Sequence, residues 1–335
     1  MIQHKTVVVN GLSVFYREAG NPNSPKLVLL GGFPASSHQF RNLIPALADK
    51  FHVISPDYPG FGNTDMPDPA TFPYTFNRLS EIVEGLLIKT GFDRFGLFMQ
   101  DYGGPVGFRI ISRHPEWAQW HILQNTNAYE EGFTSAWDAI RHSLWKKRGP
   151  ETEEPLRPFL ELDGIKMVYL HGHKRPELIS PDNWNMDFRF MERPNARRVQ
   201  LDLFYDYRTN VELYPQWQQI LRERQPKTLI FWGQNDISSP AKAVRRTCAT
   251  CPTRKCTGSI RGTLPWRTAW TRSRATFGVS TTRRWQRLPV LWRRRGSRSV
   301  MNDRKTNSGG VSCGARDPTW RGGRSESLVA KEGRS

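Results

Sequence analysis

Phe95-Gly96-Leu97-Phe98-Met99-Gln100-Asp101-Tyr102-Gly103-Gly104 is the most informative stretch of this chain. Phe95–Met99 reads as a short apolar strand, Gln100–Gly104 as a sharp turn, and the residues through about Ser112 as a helix. A turn from strand to helix that projects its middle residue crowds the backbone, and small neighbours relieve the crowding. Gly103 and Gly104 supply them, so Asp101 becomes the projecting side chain. The helix N-terminus behind the turn stabilises negative charge there. A carboxylate so placed suits attack on an sp³ carbon bearing a leaving group, giving an alkyl-enzyme ester. An Asp that merely caps the helix has the same local sequence. The neighbouring turns separate the two readings.

Upstream, Thr6–Val9 and Ser13–Arg17 flank Asn10-Gly11 and predict a hairpin. Lys26–Leu30 predicts a strand ending at Gly31-Gly32, Phe40–Asp49 a helix, and His52–Ser55 a strand ending in Pro56-Asp57-Tyr58-Pro59-Gly60-Phe61-Gly62. Ser80–Thr90 predicts a helix, and Trp120–Leu123 and Thr228–Trp232 two more strands. Alternating strands and helices imply an α/β fold with a mainly parallel sheet covered on both faces. Functional residues belong at the C-terminal ends of such strands. From about Asn127 to Leu213 the alternation breaks into a segment rich in Trp, Tyr and charge, with helix-like stretches at Thr134–Trp145 and Asn195–Asp206. This segment is read as a helical insert covering the site. The expected division is therefore 1–126 and 214–237 as core, 127–213 as cap and 238–335 as a basic tail.

Two further turns carry chemistry. Leu29-Leu30-Gly31-Gly32-Phe33-Pro34 follows a strand, and its glycines allow backbone N–H groups to point into a site. Phe33 and Tyr102 are the expected donors of an oxyanion or leaving-group hole, although a plain Gly-Pro turn has the same sequence. Trp232-Gly233-Gln234-Asn235-Asp236 ends a later strand, where an acid can orient a histidine or cap the next helix. The turn from Asp57 to Gly62 is read as structural.

Together these turns resemble the α/β-hydrolase family, in particular its branch of epoxide hydrolases and haloalkane dehalogenases. The resemblance covers about residues 4–237. It rests on Gly32-Phe33-Pro34, Asp57-x-x-Gly60-x-Gly62, Gln100-Asp101-x-Gly103-Gly104 and Trp232-Gly233-x-x-Asp236. It implies an α/β-hydrolase fold with a helical cap, Asp101 as nucleophile, Asp236 as triad acid, and Phe33 and Tyr102 at the hole. The implied partner is a small organic electrophile, with no cofactor or metal; epoxide or related C–O hydrolysis comes first and dehalogenation second. Epoxide hydrolases use cap tyrosines to protonate the opening ring, which makes Tyr129, Tyr169, Tyr205 and Tyr207 candidates. The chain departs from the family pattern at Gly31, where His is common, at Met99, where a small residue is usual, and at Tyr102, where many dehalogenases carry Trp.

The family also implies a Gly-His after the last strand, about 25–30 residues beyond the acid, which activates the water that hydrolyses the ester. Here no histidine follows His173. His38, His142, His171 and His173 fall in other regions and read as surface or packing residues. The composition changes in the same part of the chain. Of the formal charge of +18, residues 241–335 carry 23 Lys and Arg against 4 Asp and Glu, whereas residues 1–240 carry 26 against 27. All four cysteines, Cys248, Cys251, Cys256 and Cys313, lie in the tail. One cause accounts for both features: a shifted reading frame soon after Asp236. Back-translation of Thr247–Trp270, with each codon begun at the third base of the present one, permits a segment containing Ser-Gly-His-Phe, with the histidine hidden under Gly262-Thr263. The rival reading makes the tail functional, as a nucleic-acid-binding arm or a zinc site. Its basic residues form no stripe or repeat, and its cysteines lack a matching second pair. No specific nucleic-acid partner and no membrane partner is expected. The chain shows no signal-peptide core and no apolar run of about 18 residues, so the expected location is cytoplasmic.

Overall fold

The computed structural model describes residues 1–173, 175–233, 236 and 255–256. Among these, the strands are β1 (Gln3–Val9), β2 (Leu12–Ala19), β3 (Lys26–Leu30), β4 (His52–Pro56), β5 (Phe95–Gln100), β6 (Ala118–Gln124), β7 (Lys227–Phe231) and β8 (Lys255–Cys256). They form one sheet in the order β1-β2-β4-β3-β5-β6-β7-β8. The β1–β2 and β2–β4 pairs are antiparallel, and every later pair is parallel. The mainly parallel sheet follows the expectation from the alternation of elements. The predicted tail segment lies outside the described residues, apart from β8.

Side chains along a strand alternate between faces, and the sequence uses both. On β3, Val28 and Leu30 join one apolar core while Leu27 and Leu29 join the other. On β5, Leu97 and Met99 face the first core and Phe98 the second. Helices α2 (Phe76–Lys89) and α3 (Gly103–Arg113) line the first face, and α1 (Leu43–Leu47) lines the second. Thr75 caps α2 by accepting the Arg78 N–H, which sets its start four residues before the expected Ser80. The stretch predicted as one helix over Phe40–Asp49 is instead a 3₁₀ turn, Ser37–Phe40, followed by α1. Pro45 falls in the first turn of α1, where a missing N–H leaves no intrahelical bond unmade.

Strand register brings the functional turns together. Leu30 pairs with Met99, Gln100 with Gln124, and Gln124 with Phe231. The strands therefore end level, and the turns after β3, β5, β6 and β7 converge at one edge. Moreover, the connection from β3 runs to β4 on one side and that from β5 runs to β6 on the other. That reversal opens a crevice at the strand C-termini.

The insert between β6 and β7 contains α4 (Pro150–Glu153), α5 (Leu162–Leu170), α6 (Asp182–Met191), α7 (Ala196–Asp206) and α8 (Arg208–Arg224). Ile165, Tyr169, Ile179, Met191 and Ala196 form its own apolar cluster. The helix predicted over Thr134–Trp145 is broken into a 3₁₀ turn, Ser135–Trp137, and a π-helical turn, Ile140–Leu144. The boundary expected after Leu213 falls inside α8, which runs through Pro215. The buried Arg109 of α3 fastens the two parts, donating to Asn210 and, at 2.9 Å, to the Thr209 hydroxyl of α8. No described helix is long and apolar enough to cross a membrane.

Candidate active site

Asp101 stands where β5 meets α3, with φ of 50°, in the left-handed region. A non-glycine residue there costs about 1–3 kcal/mol and persists only where the surroundings impose it. Close backbone approach imposes it here. A Cβ on Gly103 would lie 2.3 Å from the Leu30 carbonyl oxygen, and one on Gly32 2.3 Å from the Asp101 Cβ. The Asp101 carbonyl accepts the Thr126 hydroxyl at 2.8 Å and the Gly104 N–H at 2.9 Å. The turn is held at both ends, and its carboxylate is directed into the crevice.

The two backbone donors named from the sequence meet at this carboxylate. The Phe33 N–H donates to Asp101 Oδ1 at 2.7 Å, and the Tyr102 N–H also donates to the carboxylate. The Tyr102 side chain turns away into the core and packs edge-on against Phe76 at 4.9 Å. Burial pushes the Asp101 pKa up to about 7, the two N–H donors oppose the rise, and the charge of Asp236 adds to it.

Asp236, buried beyond β7, accepts a hydrogen bond at Oδ2 from the Asn125 amide. The Asn125 Oδ1 accepts the Gly233 N–H at 3.1 Å. Asn125 thus ties the end of β6 to the turn carrying the acid, and it too adopts positive φ, 44°. The sequence reading missed this residue. Its signal was the polar run Gln124-Asn125-Thr126-Asn127 at a strand end, all four residues of which are buried.

Two departures from the family pattern have structural compensations. Where a side chain at Gly31 would extend, Gln39 stands: a Cβ there would lie 1.5 Å from the Gln39 Nε2. Met99 is accommodated by Gly107 of α3, whose added Cβ would lie 2.6 Å from the methionine sulfur. The Asp57–Gly62 turn has the expected structural role. The buried Asp57 accepts the Ser37 N–H at 2.6 Å and the Asn63 N–H at 2.8 Å.

A cavity of about 130 Å³ opens onto Asp101, Asp236, Gln100 and Asn125. Its opposite wall comes from the insert and is mainly apolar, with Leu156, Phe159, Val168 and Phe204. The insert therefore faces the site. Of the four tyrosine candidates, Tyr129 is buried in the first apolar core, whereas Tyr207 lines a small adjoining space with Asp101 and Trp137, and its ring lies 4.7 Å from that of Trp137. Burial and the Asp101 charge both hold its phenol protonated. Tyr169 donates to the buried Asp187 inside the cap, and Tyr205 packs on Arg208 at 3.7 Å. Among the four histidines named above, His171 is exposed as expected but also lines the cavity.

A family model for the alpha/beta hydrolase fold matches residues 25–258. An uncharacterized hydrolase of Saccharomyces cerevisiae, YNR064C, is 39% identical over 237 residues, which is 70% of this chain and 81% of that protein. A soluble epoxide hydrolase of a Corynebacterium species is 36% identical over 107 residues, 32% of this chain and 36% of that protein. This second match thus spans about a third of the relative's length. The crystal structure of a loop variant of a haloalkane dehalogenase from Bradyrhizobium elkanii superposes with a TM-score of 0.62 at 20% identity, covering 85% of this chain and all of that one. The strand order, the left-handed Asp101 turn and these likenesses agree: the chain belongs to the α/β-hydrolase fold family.

Proposed function

We propose that Asp101 is the nucleophile of a hydrolase acting on a small organic electrophile, with an epoxide as the first choice of substrate and an alkyl halide as the second. The observation that carries this reading is the strained Asp101 turn, whose carboxylate is gripped by two backbone N–H groups and opens onto a largely apolar cavity. One Asp101 oxygen attacks carbon, the C–O or C–halogen bond breaks, and an ester forms between Asp101 and the substrate. The Phe33 and Tyr102 N–H groups already hold the Asp101 carboxylate. They therefore serve as the oxyanion hole when water attacks that ester, rather than as the seat of the departing group. The departing alkoxide is left to the cap side, where the protonated Tyr207 beside Asp101 supplies its proton.

Ester hydrolysis needs a base to activate water. The family's place for it falls under Gly262-Thr263, outside the described residues, and the sequence holds no histidine there. The family match ends at residue 258, just before this point. In our reading the chain as written forms the ester once and stalls, and a shifted frame in the coding sequence accounts for the missing base.

Single-turnover alkylation tests the role of Tyr207, because epoxide opening requires a proton and halide departure does not. Tyr207→Phe should slow alkylation by an epoxide about 100-fold or more while leaving alkylation by an alkyl bromide within about threefold. Equal slowing of both reactions would refute proton donation by Tyr207.

A further inference from the structure

The apolar wall of the cavity is not uniform. Leu156 and Phe204 line it as buried members of the first apolar core, whereas Phe159, Met167 and Val168 are half-buried and His171 is exposed. Phe204 is held from two sides. Its ring lies 5.3 Å from the ring of Phe33, whose N–H grips Asp101 Oδ1 at 2.7 Å, and its carbonyl accepts the Trp145 indole N–H at 2.9 Å. A packed wall of this kind does not swell for a larger ligand without cost. The cavity it bounds is about 130 Å³. An apolar cavity of roughly 150 Å³ holds one benzene molecule, so the space over Asp101 is close to that size.

We propose that Phe204 is a specificity-determining residue of this site: its ring limits the group carried by the electrophile, so that a terminal epoxide with a short alkyl arm is accepted and one bearing a six-membered ring is disfavoured. The inference rests on the nucleophile reading of Asp101 and deepens it by fixing the size of the substrate. In both reactions an Asp101 oxygen bonds to a ring carbon, the C–O bond of the epoxide breaks, and the freed oxygen takes the Tyr207 proton. Only the arm differs, and only the arm meets Phe204.

Single-turnover alkylation of the full chain by 1,2-epoxybutane and by cyclohexyloxirane, followed by intact mass, tests the limit. The two reagents differ in an ethyl group against a cyclohexyl ring. The butane epoxide should react faster by about tenfold or more; Phe204→Ala should shrink that ratio by about tenfold and Phe204→Leu by about threefold. Because the ratio compares two reagents on one protein, a general loss of activity leaves it unmoved. Calorimetric titration with the two corresponding diols needs no attack by Asp101 and should show the same ranking and the same response to Phe204. Equal rates for the two epoxides in the unaltered chain, or a folded Phe204→Ala protein with the unaltered ratio, would overturn the proposal. If Phe204→Ala fails to fold, an unaltered ratio in Phe204→Leu overturns it. Absence of any adduct, with the diols still ranked by size and sensitive to Phe204, would refute the nucleophile reading and uphold the size limit.

Discussion

Replacing Asp101 with Asn should stabilise this protein, and by an amount that depends on pH in a defined direction. An aspartate with an ordinary pKa of 3.8 is held at about 7 in the folded chain by burial and by the charge of Asp236. The folded state therefore binds this proton more tightly than the unfolded state. Wild-type stability falls as pH rises from about 4 to about 7, and the cost is complete above that window. At about 1.4 kcal/mol per pH unit, the rise from 3.8 to about 7 corresponds to about 4 kcal/mol in alkaline solution. At pH 4.5 only about 1 kcal/mol of it has developed, which leaves a difference of about 3 kcal/mol between pH 4.5 and pH 8.5. Asn keeps an oxygen for the Phe33 N–H, and any mismatch of its amide with the Tyr102 N–H is the same at both pH values. The assay is urea unfolding of both proteins at both pH values, since the difference of differences cancels titration elsewhere in the chain. A stabilisation that is unchanged between the two pH values, or larger at pH 4.5, would refute the argument that a desolvated Asp101 carboxylate burdens the fold.

Three other outcomes follow from the same geometry. Gly103→Ala places a methyl group 2.3 Å from the Leu30 carbonyl, so it should destabilise the fold by about 2–4 kcal/mol or abolish soluble expression, read by thermal melting. Asn125→Ala removes the amide that joins Asp236 to the Gly233 N–H; a loss of about 1–3 kcal/mol in urea unfolding is expected. Sequencing the coding DNA across the codons for Gln225 through Ala275 should reveal an inserted or missing base, with the corrected frame reading Ser-Gly-His-Phe; an intact present frame would refute the shifted-frame account.

Parallel strands bury both faces and so read as continuous apolar runs, which is why Leu27–Leu30 and Phe95–Met99 were legible as the heart of the sheet. The turn at Asp101 was legible because close backbone approach at Gly103 and Gly32 admits only glycine. Phe33 followed from the Gly31-Gly32 turn after its own strand and Tyr102 from its place after Asp101; both meet the Asp101 carboxylate through backbone N–H groups, which need no particular side chain. The insert was harder to read. Thr134–Trp145 carries apolar residues at helical spacing, yet tertiary packing of Phe133, Trp137 and Trp145 around Tyr207 accompanies a 3₁₀ turn and a π turn in place of one regular helix. The boundary placed after Leu213, where the segment rich in Trp, Tyr and charge was read to end, falls inside α8, which continues through Pro215. Asn125 escaped notice because its importance depends on strand register, which sets Gln124 level with Gln100 and brings Asn125 to Asp236. No local pattern encodes that meeting.

The central claim is that Asp101 attacks carbon and that the chain as written does not release the product. Incubating the purified full chain with a small aliphatic epoxide, followed by intact-mass measurement and peptide mapping, tests it directly. The account predicts one adduct per chain, equal in mass to the added epoxide, located on the peptide containing Asp101, persistent after excess epoxide is removed and absent from Asp101→Asn. Sustained diol production without a trapped adduct, or an adduct that forms equally in Asp101→Asn, would contradict it.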